Sequence, residues 1–267
     1  MTINLNNIIK DVFTPNKSID AKLKDGVYVF WILLIIATWF FSGSQYIPTP
    51  GQVFDSGKEL IVKYQFFNDL LISTTLCFKA IIYASIISLF IAYLSVIPFF
   101  KPICYLVGKM RFLTTAGLTF LFAQLTSDTS HQKVALLVFG VTVFLTTGAC
   151  AIVSSVKKEE LDYARTMRMG EWRVTYEVII LGKIDQMLEL IRQNFAMAWL
   201  MLVFVENICR ADGGIGIVLF DQSKHFRLES VYAIQIIVLC TGMILDFALG
   251  FLKTKLCPYS VLELEKH

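Results

Sequence analysis

Charge is what this sequence has least of. Only 17% of its 267 residues are Asp, Glu, Lys or Arg, 56% are hydrophobic, and the mean hydropathy is +0.64. Soluble domains carry about 25% charged and about 45–50% apolar residues. An ordinary water-facing surface is therefore excluded, and lipid is the expected solvent. The formal net charge of +3 is too small to point to nucleic acid. Histidine is scarce as well: His131, His225 and His267 lie scattered on polar segments, which argues against a metal centre built from them. The six cysteines, Cys77, Cys104, Cys150, Cys209, Cys240 and Cys257, show no CxxC pairing, and several sit in apolar runs. They read as small buried hydrophobes, not as a disulfide framework or a zinc site. No GxxxxGK[ST] phosphate loop occurs, so nucleotide binding by that route is excluded. Nor does an HExxH, a Ser-centred motif or a His/Asp/Glu cluster stand at membrane depth, which weighs against a membrane-embedded enzyme.

Long hydrophobic runs are what the sequence does have. A helix needs about 20 apolar residues to cross the ~30 Å hydrocarbon core. Six runs approach that: Val27–Phe41, Leu70–Ile97, Phe112–Leu125, Val134–Val153, Met187–Val205 and Val231–Leu252. Lys79 interrupts the second, and the third holds Thr114, Thr115 and Gln124. An all-α polytopic membrane protein of about six transmembrane helices is expected. Ser42 and Ser44 resemble the small-residue cleavage site of a signal peptide. The long segment ahead of the first run, and the five runs after it, favour an uncleaved anchor instead.

Lysine and arginine placement sets the orientation, because cytoplasmic segments are enriched in both. With the N-terminus inside, inner segments hold 16 of the 24 basic residues and outer segments 6, with Lys79 and Arg192 in or near spans. This predicts a cytoplasmic N-terminal segment over 1–26, a transmembrane domain over 27–255 and a cytoplasmic tail over 256–267. The longest inner connection, 154–186, is polar yet patterned for helix. Leu161, Ala164 and Met167 recur at helical spacing, and Trp172, Val174, Tyr176, Val178 and Ile179 supply a second apolar set. A passive linker needs neither.

Within that loop, DYARTMRMGEWRVTYEVIILGKID, from Asp162 to Asp185, resembles the cytoplasmic motif of ABC-importer permease subunits. That motif has the form EAA, three residues, Gly, nine residues, then Ile-x-Leu-Pro. Asp162 stands for the Glu and Ala164 for the second Ala, while Val178, Ile180 and Leu181 take the Ile, Leu and Pro places. The departures are as informative. The motif glycine falls on Arg168, the nearest glycine is Gly170, and Leu181 and Asp185 replace the prolines. Three further stretches resemble the nitrate/sulfonate/taurine-type branch. They are Ile47-Pro48-Thr49-Pro50-Gly51-Gln52-Val53; the spaced set Arg192, Ala198-Trp199 and Glu206; and Asp212-Gly213-Gly214-Ile215-Gly216 with Asp246 in the last run. The proline-rich start of the third span in that branch is replaced by RFLTTAGLTFLFAQ, Arg111–Gln124.

The resemblance covers residues 27–255 and implies a MetI-like permease fold in a bacterial inner membrane, with both termini cytoplasmic. Implied too are a pathway for a small solute (an anion such as nitrate, a sulfonate or taurine, or a vitamin precursor) and a second permease subunit, as homo- or heterodimer. Separate ATPase subunits would carry ATP and Mg, and an extracytoplasmic substrate-binding protein is a further expected partner; the segment Arg210–Arg227 either docks it or is an ordinary exposed loop. No cofactor and no enzymatic activity are expected on this chain. Leu161, Asp162, Ala164, Arg165, Met167, Arg168 and Gly170 form the expected coupling element. On this reading Leu161, Ala164 and Met167 pack in the ATPase cleft, while Arg165 and Arg168 meet its acidic rim. From pattern alone, the same helix reads equally as one lying on the membrane surface.

Ionisable residues inside spans cost about 2.5–3.5 kcal/mol each at a helix centre, so they face protein or water. Arg192, Ala196, Trp199, Val203 and Glu206 recur every three or four residues and form one stripe. Gln235, Gly242 and Asp246 share a face of the last span. Either these faces line a translocation pathway or gate, or they pair helices, for instance Arg192 with Asp246. A stand-alone secondary transporter or channel is the alternative function. That class is built from inverted repeats or helices broken mid-span, and no half-to-half similarity is visible.

Overall fold

Backbone amides cannot hydrogen-bond to lipid, so a spanning chain pairs them within helices. In a computed structural model of the chain, described over Thr14 and residues 21–41, 47–63, 66–126, 128–210 and 213–258, every regular element is helical. Most of the 1–26 segment, most of the 256–267 tail, Ser42, Ser44 and Asp212 lie outside the described residues. In chain order the elements are α1 (Ala21–Phe41), α2 (Pro50–Lys63), α3 (Phe66–Leu94), α4 (Lys101–Lys109), α5 (Thr115–Leu125) and α6 (Thr129–Ser154). There follow α7 (Lys158–Thr166), α8 (Glu171–Val174) with a π turn over Thr175–Leu181, α9 (Ile184–Ile208), α10 (Ile215–Lys224) and α11 (Leu228–Leu256).

Among the described residues, α3, α6, α9 and α11 are long and apolar enough to cross a membrane. This is the architecture of a polytopic membrane protein. The apolar part of α1, Gly26–Phe41, is shorter. The third run departs from expectation. Instead of one straight span over Phe112–Leu125, Lys101–Phe112 and Ala116–Leu125 meet at 114°. Leu113 and Thr114, both extended at ψ near 130°, make the break.

The centre is a three-helix contact of α3, α6 and α9. On α3, Cys77, Ala80, Ala84, Ser88 and Ala92 lie buried at intervals of three or four. Small side chains at that spacing let two helix backbones approach closely, the device that replaces hydrophobic driving force in lipid. Leu137, Val141 and Leu145 of α6 and Phe195, Ala198 and Leu202 of α9 fill the remainder. Ser88 ties the pair by donating to the Thr142 carbonyl at 3.1 Å, and Thr146 donates to Ser88 at 3.1 Å. At one end, Val53 and Leu60 of α2 pack with Ile215 and Leu219 of α10 and with Ala233 and Ile234 of α11. At the other end Ala92, Ala149, Val153, Ile179 and Met187 hold the 154–186 loop, with Leu161 against them. Two cysteines depart from the reading as plain hydrophobes: Cys104 of α4 and Cys150 of α6 are joined by a disulfide.

Candidate functional site

Helix α9 carries polar groups at both ends, and its neighbours treat them differently. At its C-terminal end, the outer one on the expected orientation, Glu206 is fully buried. Its carboxylate accepts the Ser73 hydroxyl at 2.6 Å and the Gly216 amide at 2.8 Å. The Ile215 amide donates to Ser73 Oγ at 2.9 Å, and the Gly214 amide donates to Asp69 at 3.1 Å. Lys133, also buried, donates to the Gly213 carbonyl at 3.1 Å. A buried carboxylate without such donors would be costly by several kcal/mol. The turn needs its glycines. Gly214 sits at φ +129°, and a Cβ on Gly216 would lie 2.3 Å from the Val203 carbonyl oxygen.

At the other end, the inner one on the expected orientation, Arg192 grips both oxygens of Asp246 on α11, at 2.8 and 2.9 Å, and donates to Glu189 at 2.7 Å. Lys253 donates to the same Glu189 at 2.8 Å. Two cations and two anions therefore cancel across the α9–α11 contact. They close one end of a groove of about 1110 Å³ that Ala196, Trp199, Val203, Gln235 and Gly242 also line. Trp199 donates its indole N–H to the Val238 carbonyl at 3.3 Å, and Gly242 leaves room for that ring. Gln235 is exposed towards the groove. The stripe read from the sequence thus divides. Arg192 and Trp199 meet Gln235 and Asp246, whereas Glu206 turns away into the knot with Ser73 and Gly216.

The third place is the loop helix α7. Its residues divide by contact, contrary to the expectation that Leu161, Ala164 and Met167 form one outward surface. Ala164 is buried, and Leu161 packs on the core cluster of Ala92, Ala149, Val153, Ile179 and Met187. Met167, at 59% exposure, points outward with Tyr163 and Trp172. Arg165 is not free for an external rim, since its guanidinium donates to Asp162 at 2.8 Å and to Glu171 at 2.9 and 3.0 Å. Those bonds hold the Glu171 carboxyl below its usual range and raise the Arg165 guanidinium above its own. Arg168 is exposed and stands at φ +58°, directly after the helix, while Gly170 is in ordinary extended backbone at φ −69°. The left-handed position therefore falls where the resembled motif carries glycine, not on Gly170.

Sequence reasoning missed Ser73, Asp69, Lys133, Glu189 and Lys253. A signal existed for two of them. Glu189 lies three residues before Arg192, and Lys253 lies seven after Asp246, so each shares a helix face with a flagged residue. Compared with models of known protein families and with curated proteins, the chain matches none. The functional reading accordingly rests on the residues and their geometry.

Proposed function

We propose that the chain is the membrane-spanning subunit of an ATP-driven ABC-type importer of the nitrate/sulfonate/taurine-type branch. On this reading α1, α3, the bent α4–α5 pair, α6, α9 and α11 make six crossings of a MetI-like permease fold. Both termini lie in the cytoplasm of a bacterial inner membrane. The observation that carries the reading is α7 with its left-handed stop at Arg168. A short helix is rooted on the ends of the spans through Leu161 and buries Ala164; Tyr163 and, beyond the helix, Met167 and Trp172 face outward, and a left-handed residue, Arg168, stops it where the motif carries glycine. Rooting and exposure together are what a lever requires. A force on the outward face passes through Leu161 to the spans without unfolding the helix.

The α9–α11 groove is then the candidate solute pathway or gate, with Arg192, Trp199, Gln235 and Asp246 on its wall. The partners that complete the machine are a second permease subunit, two ATPase subunits that hold ATP and Mg, and an extracytoplasmic binding protein. Reconstitution of the chain with a cognate ATPase in liposomes tests the reading through solute-stimulated ATP hydrolysis. Replacing Met167 and Trp172 by Ser is expected to abolish co-purification of the ATPase while the permease stays folded.

One observation favours a second reading, a stand-alone secondary transporter or channel. The 114° break between α4 and α5 is a discontinuous helix of the kind such transporters use at the midplane. Solute flux through liposomes that hold the purified chain alone separates the two. Full-rate flux without an ATPase sinks the importer.

A further inference from the structure

Helix α4 buries none of its residues, yet it is held to α6 at two points. Cys104 is bonded to Cys150, and Gly108 faces Thr147, where an added Cβ would meet the hydroxyl at 3.5 Å. The chain numbers rise along α4 as they fall along α6, so α4 starts beside the Ser154 end and climbs into the bilayer. At ~1.5 Å per residue, Cys150 lies about 6 Å and Thr147 about 10 Å from the last residue of α6. Helix α4 therefore occupies the headgroup and upper acyl zone of that leaflet, which the lysine and arginine distribution makes the cytoplasmic one.

Its outer face is both basic and apolar. Lys101, Tyr105 and Lys109 recur every four residues and form one exposed stripe, with Arg111 just beyond. Ile103, Leu106, Phe112 and Leu113 are exposed beside them. Among the described residues none of the three cations has a carboxylate partner. Towards the same end of the molecule Arg165, Arg173, Lys183, Arg192 and Lys253 are each ion-paired, and Lys157, Lys158, Arg168 and Lys255 are exposed without an ion pair among the described residues; what sets the α4 cations apart is their place on one stripe beside exposed apolar residues. The direction of the stripe is visible too. Helical side chains lean towards the helix N-terminus, and the Lys109 ammonium lies over the Tyr105 ring, 5.0 Å from its centroid, one turn back towards Lys101. That brings the charge down from its Cα depth towards the headgroups, as snorkelling requires. Arg111 rests on Phe112 at 5.2 Å, which leaves its outer guanidinium edge open.

We infer that the Lys101–Tyr105–Lys109 stripe, with Arg111, is a binding site for the anionic headgroups of phospholipids in the leaflet at the Ser154 end of α6. Apolar Ile103, Leu106 and Leu113 take the acyl chains, and the unpaired cations take the phosphate. Each cation near a negatively charged leaflet strengthens attachment about fivefold. A lipid held here bears on the 114° bend directly, because α4 is its first arm. The inference depends only on the chain lying in a membrane, not on the importer reading.

The test uses the full chain in neutral detergent, titrated with phosphatidylglycerol or with phosphatidylcholine and read by native mass spectrometry and thermal melting. Phosphatidylglycerol is expected to bind at least about tenfold more tightly and to raise the melting temperature. The triple variant K101Q/K109Q/R111Q is expected to lose that preference, and K101R/K109R to keep it. A control, K58Q/K224Q/R227Q, removes three exposed cations elsewhere and is expected to behave as the parent. Equal loss of preference in the control overturns the site, as does an unchanged preference in the α4 triple variant. Competition by millimolar inorganic phosphate also overturns it, because the site would then take a free anion without a lipid. Should the triple variant not fold, K101Q alone, at the leaflet boundary, is expected to weaken phosphatidylglycerol binding about fivefold, and an unchanged affinity overturns the site.

Discussion

The two polar clusters on α9 solve the same problem in opposite ways. At the outer end a single carboxylate is sealed from solvent by a hydroxyl and a backbone amide, and the chain that seals it has glycine wherever a side chain would collide. At the inner end four charges cancel one another, and the residues that carry them remain partly exposed on the wall of an open groove. The first arrangement is buried and bonds Glu206 to Ser73 of α3 and Gly216 of α10, so it fixes α3, α9 and α10 together. The second can exchange partners, since Glu189 serves two cations and Asp246 is 46% exposed at its side chain. A transporter needs both kinds of joint, one to keep helices in register and one to rearrange as they move. On the importer reading, the contrast makes the outer cluster a stability element and the inner cluster the one proposed to rearrange.

The largest expected effect tests the sealed end. In Gly216→Ala the new methyl meets a carbonyl oxygen and the Glu206 Cβ at 2.8 Å, both part of packed helix. The expected cost is about 3 kcal/mol or more, because neither neighbour is the tip of a flexible side chain. Thermal melting in detergent checks it. Next comes Glu206→Ala, which leaves the Ser73 hydroxyl proton and the Gly216 amide without their acceptor in a buried site. About 2–3 kcal/mol is expected to be lost. Glu206→Gln keeps one acceptor and gains a donor for Ser73 Oγ, and about 1 kcal/mol is expected. If Gln were as damaging as Ala, the charge itself would matter and the knot would be more than a packing element.

The open end is expected to respond less in stability and more in transport. Arg192→Gln and Asp246→Asn are each expected to cost about 1 kcal/mol, because the pair is only partly buried and Glu189 and Lys253 remain as a second pair. The double variant is expected to cost less than the sum of the two, with a coupling of about 0.5–1 kcal/mol between contacting residues. The comparison sharpens in reconstituted liposomes. Solute-stimulated ATP hydrolysis is expected to fall in both single variants by far more than their melting temperatures explain. Activity that tracks stability alone would make the inner cluster one more staple.

Much of the fold was legible from composition alone. Spans announce themselves as apolar runs because the bilayer imposes one length on all of them, and four of the six runs became long helices. The pairing of Arg192 with Asp246 was also readable, since opposite charges at similar depth on neighbouring spans have few other partners. The break at Leu113 and Thr114 was not. No proline or glycine marks it, and a run of apolar residues has the same hydropathy whether straight or bent. The fate of Glu206 was hidden for a different reason. Periodicity assigns a residue to a face of its own helix but not to a neighbour, and the neighbour here is a turn that folds back over it. The same limit misplaced Leu161 and Ala164, whose spacing fits an external cleft as well as the chain's own core. The Cys104–Cys150 pair joins elements 46 residues apart with no local spacing to signal it.

The smallest expected effect probes the loop helix, and it is the most direct check on the resemblance. Arg168 pays a conformational cost of about 1–2 kcal/mol for standing in left-handed backbone that glycine adopts freely. Arg168→Gly removes that strain but enlarges the freedom of the unfolded chain, which offsets part of the gain. A net stabilisation of about 0.5 kcal/mol is expected, visible as slower proteolysis of the 158–174 segment. Gly170→Ala is the matched control. Its backbone is already extended and no atom stands within 4 Å of the added methyl. The motif glycine and the Arg168 backbone then give one answer: the variant that restores glycine stabilises, and the variant that removes the neighbouring one changes nothing. If Gly170→Ala were the damaging change instead, the helix would end two residues later than the structure has it, and the alignment with the permease motif would have to shift with it.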